Sequence, residues 1–233
     1  MIIKPINSIM HDIIISKLIR SNRKSIALEI QSDGNLIIRA PNLTTKSYID
    51  KLIQDKQHWI TTKQRQIQER LNSTPKKQFK DNEEFYYLGN CYKLQISENT
   101  QVKFSFDNGF YISEKFKYKI KPILINWYKT EAKHYIYDCV NEIALTHNMT
   151  YKSIKITSAV KRWGSCTADR RLNFTWRLIM LPPEIIDYIV IHELSHLIEL
   201  NHSVKFWNVV NKLMPDYKQK KLWLKNNSFK FNL

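Results

Sequence analysis

The stretch VIHELSHLIELNHSVKFW, residues 190–207, holds three of the chain's 7 histidines and two of its glutamates. His192 and His196 are four apart, so on a helix both rings share one face and reach a single ion, with Glu193 on the flank of that face. This is the H-E-x-x-H arrangement. Imidazole nitrogens suit Zn²⁺, a third protein ligand leaves a fourth position open, and the ion lowers the pKa of a water from about 15.7 to about 7. A carboxylate at hydrogen-bonding distance then serves as general base, the catalytic role expected of Glu193. Random placement of the chain's histidines and glutamates would produce the pattern with a chance of only about 0.01.

His202 is the expected third ligand. It follows Asn201, a residue type that tolerates the left-handed conformation at a helix C-terminus, and a turn there would return His202 to the ion. Glu199 is the competing ligand, or else a carboxylate that orients one of the imidazoles. Cys166 as a fourth ligand would close the site, which suits storage better than catalysis. Phe206 and Trp207 are expected to pack under the His202 turn, with substrate contact as the alternative. The other four histidines, His11, His58, His134 and His147, sit in ordinary contexts and are read as structural or solvated.

The rest of the chain must position this stretch. With 233 residues it can bury a real core and form one large or two small domains. A hydrophobic content of 43% and a charged content of 25% are those of a globular protein, so disorder is not expected. The balance of 37 Lys+Arg against 21 Asp+Glu gives a formal charge of +16. Such a charge suits partners rich in negative charge, such as nucleic acid or acidic substrates, or is simply a basic surface. Cys91, Cys139 and Cys166 are odd in number and widely spaced, which points to a reducing compartment. The first residues, MIIKPINSIMHDIIISKLIRSNRK, lack the continuous apolar core and cleavage site of a secretory leader, and no run approaches the roughly eighteen apolar residues of a membrane span. A cytoplasmic location with no membrane contact is expected.

The spacing predicts strands first. Two β-rich runs, 25–30 and 35–39, flank Asp33-Gly34 and read as a hairpin. Residues 44–71 carry a helical period with Thr44 or Thr45 as N-cap. The polar stretch around Pro75 is a loop. FYYLGNCYKLQI and VKFSFDNGFYIS, broken by Gly89 and Asn108-Gly109, read as a β-meander. Residues 122–147 form one amphipathic helix through Ile123, Trp127, Ile136, Cys139, Val140 and Ile143. Residues 151–157 are a strand, and LNFTWRLIM alternates Leu172, Phe174, Trp176 and Leu178 against Asn173, Thr175 and Arg177. A helix over 184–200, with Pro183 at its first turn, carries the HELSH motif.

At this point the residues resemble a known family. VKRWGSCTADRRLNFTWRLIMLPPEIIDYIVIHELSHLIELNHSVKFW is similar to the signature of the YgjP-like metallopeptidases, a zincin group related to the SprT-like proteases. The match is specific at RWGSC, at Asn173, Trp176 and Arg177, at HELSH and at NHSxxFW. KQHWI at 56–60 and YYLGNCYKLQI resemble the more variable first half. The resemblance implies a zinc-dependent hydrolase with one Zn²⁺ per chain, ligands His192, His196 and His202, base Glu193, and a peptide or protein substrate. Some relatives carry a nucleotide pyrophosphatase label, but the chain has no G-x-x-x-x-G-K-[ST] loop and no cluster of acidic ligands for Mg²⁺.

Around the motif, Arg177, Asn173 and Trp163 are the candidate substrate-binding residues. The RWGSC segment precedes a strand expected beside the HELSH helix, where an extended peptide would pair with a sheet edge. Arg177 would hold a substrate carboxylate or an oxyanion, or else form a salt bridge with Glu184 or Asp187. The expected fold is α+β, with a strand-rich N-terminal half and a helix, followed by a zincin-like C-terminal part centred on HELSH. The expected division is 1–80 (hairpin plus helix), 81–118 (meander) and 119–233 (metallopeptidase domain). The leading reading is a zinc metallopeptidase. The alternatives are a basic nucleic-acid-associated protein with a mainly structural zinc site, using stretches such as Lys115-Phe116-Lys117-Tyr118, and a zinc-dependent nucleotide phosphohydrolase.

Overall fold

Asp33-Gly34 turns the chain as its residue types require. Gly34 adopts φ +84°, and the Asp33 carboxylate accepts from the Asn35 backbone N–H at 3.0 Å. The computed structural model describes residues 9–10, 13–31, 33–73, 76–98, 102–231 and 233, so His11 lies outside the described residues. The chain divides into two compact units, 1–75 and 76–233.

In the first unit, β1 (Ile9–Met10), β2 (Ile13–Ser21), β3 (Ala27–Ile30) and β4 (Leu36–Pro41) form a sheet of order β1-β2-β4-β3. β3 and β4 are the expected antiparallel hairpin, and β2 runs parallel to β4. Leu36, Ile38 and Ala40 alternate into a small core with Ile49, Ile53 and Ile60. The single helix expected over 44–71 is two helices, α1 (Lys46–Asp55) and α2 (Gln57–Ser73), with Thr45 as the N-cap of the first. The break at Lys56 has no glycine or proline to announce it. Both helices bring isoleucines to one core, and packing rather than local propensity sets the break.

In the second unit, β5 (Glu84–Tyr87), β6 (Asn90–Ser97), β7 (Phe104–Phe106) and β8 (Phe110–Ser113) form a sheet of order β5-β6-β8-β7. This is not the expected meander, because β6 and β8 pair in parallel. Phe110 and Ile112 of β8 are fully buried, whereas Phe104 and Phe106 of β7 are half-buried, so the more apolar strand takes the inner position. The helix α3 (Ile120–Thr146) follows. Its buried stripe is Ile120, Leu124, Tyr128, Ala132, Ile136, Val140 and Ala144, with Ile123, Trp127, Cys139 and Ile143 on the half-buried flank.

Three strands then lead to the HELSH helix. β9 (Ser153–Thr157), β10 (Gly164–Cys166) and β11 (Arg171–Thr175) pair in the order β10-β11-β9, which leaves β10 at an edge. The strand expected through LNFTWRLIM stops at Thr175, and Trp176–Met180 is a 3₁₀ helix. Trp176, Leu178, Ile179 and Met180 are all buried, so the apolar-polar alternation of a strand does not continue past Thr175. Next come α4 (Pro183–Ser195), α5 (Val204–Leu213) and α6 (Tyr217–Asn227). Pro183 opens α4 as expected, but the helix ends at Ser195 rather than near 200, with His196 as its C-cap. The sheet of β5 to β8, α3, the 3₁₀ helix and α4 share one hydrophobic core. No helix among the described residues is long and apolar enough to cross a membrane.

The β5–β6 turn is tied directly to the segment that launches α4. The backbone N–H groups of Leu88 and Gly89 donate to Ile179 and Met180 at 2.8 and 3.1 Å. Gly89 has φ +80°, and a Cβ there would lie 2.9 Å from Pro182 Cα. Gly89→Ala therefore meets both a strained backbone and a clash with backbone. It should cost about 2 kcal/mol, seen as a fall in Tm of roughly 4–8 °C in a thermal melt.

Candidate metal centre and active site

Nearly every face of α4 is buried, through Ile185, Ile186, Tyr188, Ile189, Val190, Ile191 and Leu194. His192, Glu193 and His196 are thus polar groups at the end of an apolar helix, in surroundings where an unsatisfied charge is costly. His196 falls at the C-cap, still on the turn above His192, and their ring centroids are 5.1 Å apart.

The chain comes back to them after α4 ends. Ile198 and Glu199 donate to Ser195 at 3.1 Å, continuing the turn for a few residues. Asn201 does not take the expected left-handed conformation. Its side-chain oxygen accepts from the Ser203 N–H at 3.0 Å, and the Ser203 hydroxyl caps α5 by accepting from Phe206 N–H at 3.4 Å. An Asx turn, not a glycine-like residue, therefore reverses the chain. His202 ends with its Nε2 at 3.0 Å from that of His192, and its ring is 4.7 Å from that of His196.

One potential ligand atom from each of His192, His196 and His202 lies within 4.8 Å of the others. Beneath them is Phe206, fully buried, with its ring 4.4 Å from His196, 4.8 Å from His202 and 4.9 Å from His192. Trp207 flanks His192 and His202 at 5.8 and 5.9 Å. Both aromatics thus pack against the turn as expected. Nδ1 of His196 lies 3.0 Å from the Glu199 carbonyl; donation to that oxygen leaves Nε2 with its lone pair. Glu199 orients the ring through its backbone, and neither its carboxylate nor Cys166 belongs to the converging group among the described residues. The Cys166 thiol instead lies 3.5 Å from the Thr167 carbonyl, with its pKa pushed up to about 11 by burial and by Glu193. His58, His134 and His147 are exposed and are not members of this group.

Burial pushes the His192 pKa down to about 3, with His196, His202 and Lys221 adding to it, and the same causes lower His202. Both shifts favour the neutral ring, the form that binds a cation. Glu193 is 6% exposed, and burial raises its pKa to about 8, opposed by Arg162 and by the backbone N–H of Cys166.

Gly164 lets the strand reach Glu193. A Cβ at Gly164 would stand 2.6 Å from Glu193 Cγ and 2.7 Å from Oε1. β10 thus lies directly on the carboxylate, and only glycine allows it. Sequence reasoning set the RWGSC segment beside the HELSH helix but gave Gly164 itself no role; a glycine in that segment, in a chain with only 4 of them, was the available signal.

The candidate substrate residues separate. Gly164 faces α4, so by the alternation of a strand Ser165 and its partner Asn173 face away, and Asn173 Nδ2 donates to Ser165 Oγ at 3.3 Å. Trp163 is half-buried and its carbonyl accepts from Thr175 N–H at 2.9 Å, extending the β10–β11 pairing. Arg177 lies on the 3₁₀ helix and not on a strand. Among the described residues it forms no ion pair with Glu184 or Asp187; it donates to the carbonyls of Ser158 and Ala159 at 3.2 and 3.4 Å and lies over Trp176 at 4.4 Å. Its Nε is buried without a partner.

The sequence matches the family described as YgjP-like, metallopeptidase domain, over residues 24–227. The chain belongs to this family. It is a metallopeptidase, a metal-dependent peptide hydrolase. No curated protein matches it. Among solved structures it is similar to the metallopeptidase zymogens of Methanocaldococcus jannaschii jannalysin and Pyrococcus abyssi abylysin. Identities are 24% and 20% over 40% of this chain and 96% and 95% of those chains, each with a TM-score of 0.36. The metal that the family implies fits these residues: the imidazoles converge, burial favours the neutral form of His192, and the Glu199 carbonyl is set to hold the His196 tautomer.

The Gly164 contact makes a prediction for this metallopeptidase. In Gly164→Ala the methyl group has to displace the end of the Glu193 side chain. Peptide hydrolysis should fall by about 100-fold while bound metal, read by elemental analysis, stays at the wild-type level.

Proposed function

We propose that this metallopeptidase uses zinc held by His192, His196 and His202, with Glu193 as the general base. The observation that carries this reading is the convergence of three imidazoles within 4.8 Å beside a buried carboxylate. When bound, the ion would supply a Lewis acid that polarises the scissile carbonyl and acidifies a water. Three nitrogen ligands and an open fourth position are the donor set of catalytic zinc, and this supports zinc as the metal.

Glu193 takes a proton from the attacking water on a carboxylate oxygen and later delivers it to the leaving nitrogen. Burial raises its proton affinity, and the Cys166 N–H keeps the side chain oriented. Phe206 excludes water from beneath the rings, and the Glu199 carbonyl holds the His196 tautomer.

β10, an edge strand lying on Glu193, supports a role in aligning extended substrate through main-chain hydrogen bonds. Trp163, next to β10 in the chain, and Arg177, whose buried Nε has no partner, are assigned as substrate contacts, while Asn173 serves β10 from the far face through Ser165. Catalysis belongs to the zincin-like part over residues 119–233, which holds all three converging histidines. The free thiols of Cys91, Cys139 and Cys166 support action in a reducing compartment, the cytoplasm.

Elemental analysis of chelator-free protein should find about one zinc per chain. Glu193→Gln should keep the zinc and lose peptide hydrolysis by at least about a thousandfold, whereas His196→Ala and His202→Ala should lose both. Loss of zinc from Glu193→Gln would remove the role assigned to that residue.

A further inference from the structure

Lys221 stands over the indole of Trp207, with Nζ 3.9 Å from the ring centroid. Trp207 is itself stacked on Tyr217 at 5.4 Å and 16°. Tyr217 and Lys221 are one turn apart on α6, so both reach the indole from one helix face. The same indole flanks the rings of His192 and His202. An exposed lysine is usually a mobile charge; this one is held by a cation–π contact beside the metal-binding group. Its charge acts on both histidines, adding to the burial that favours their neutral form.

Arg162, just before β10, acts on Glu193 in the same manner. Among the described residues neither Lys221 nor Arg162 has a carboxylate within ion-pairing distance. The residue before Lys221 does: Lys220 pairs with Asp216 at 3.4 Å. Lys221 and Arg162 are thus cations whose fields reach the catalytic group and are not offset by a carboxylate partner among the described residues. In a chain of net charge +16 they make the approach to the site attractive to negative groups.

Resting on the peptidase reading above, we propose that Lys221 is a specificity-determining residue that selects polypeptide segments with aspartate or glutamate beside the scissile bond, Arg162 adding to the attraction. An ammonium that faces solvent gives a modest preference, about five- to tenfold, because water and salt screen it. The indole beneath it keeps that preference directional, since the charge is positioned before substrate arrives.

The test uses the metal-loaded full chain carrying Glu193→Gln, which binds substrate without turning it over. Two fluorescein-labelled peptides of one sequence are compared, with either glutamate or glutamine on both sides of a central Ala-Leu bond. Anisotropy should show the glutamate peptide binding about five- to tenfold more tightly at low salt, with the ratio approaching one by about 0.5 M salt. Lys221→Glu should invert the ratio, Lys221→Gln should reduce it and Lys221→Arg should preserve it; with Glu193 restored, the ratio of kcat/KM for the two peptides should move the same way. A binding ratio unchanged by Lys221→Glu overturns the assignment whatever the cleavage data. If the metal-loaded wild-type chain cleaves no peptide at all, the peptidase reading is what fails, and the binding ratio still decides the role of Lys221.

Discussion

The structure around the active site depends on one constraint, the burial of α4. A helix covered by Ile185, Ile186, Ile189, Val190, Ile191 and Leu194 cannot carry free charge, so each polar group at its end must be answered by something else in the fold. The Glu199 carbonyl answers His196, and the Cys166 N–H answers Glu193. Nδ1 of His192 remains buried without a partner. The same burial sets the electrostatics, since it favours the neutral form of His192 and makes Glu193 a stronger base than an exposed glutamate. The features that suit the site to a cation and a proton transfer are consequences of the packing that stabilises the unit.

Two elements are shaped around that helix end. β10 comes down on Glu193 with a glycine at the point of contact, so the strand edge and the carboxylate are brought within van der Waals reach. On the other side the Asx turn at Asn201 and the Ser203 cap launch α5 at an angle that puts Phe206 under all three rings. Phe206 is fully buried, and burial of a phenylalanine contributes roughly 1.5–3 kcal/mol. The hydrophobic effect that folds α5 therefore also fixes where His202 stands. Stability and ligand geometry are coupled here through one aromatic ring.

Legibility in the sequence followed the range of the interaction. Gly34 with Asp33, Pro183 at the start of α4 and the four-residue period of α3 are local signals, and each element forms where they indicate. The errors lie where distant packing outweighs local pattern. β8 displaces β7 from the centre of its sheet because Phe110 and Ile112 have a core to enter. The chain coils after Thr175 because Trp176, Leu178, Ile179 and Met180 are all buried, with Trp176 stacked on Tyr128 of α3. Helices α1 and α2 part at Lys56, a residue with no breaking tendency of its own.

The sequence by itself determined the candidate chemistry, because H-E-x-x-H puts two imidazoles on one face of a helix by helical geometry alone, and His202 lay close enough along the chain to converge with them. The tertiary structure alone decided how the site is finished. The contact of Gly164 with Glu193, the tautomer of His196 set by a backbone carbonyl, and the lysine held over Trp207 all join residues whose types carry no mark of their partners. Spacing along a helix is a property of the local backbone and can be read directly. Which strand edge, carbonyl or ammonium arrives beside it is settled by how the core closes, and that depends on the whole chain at once.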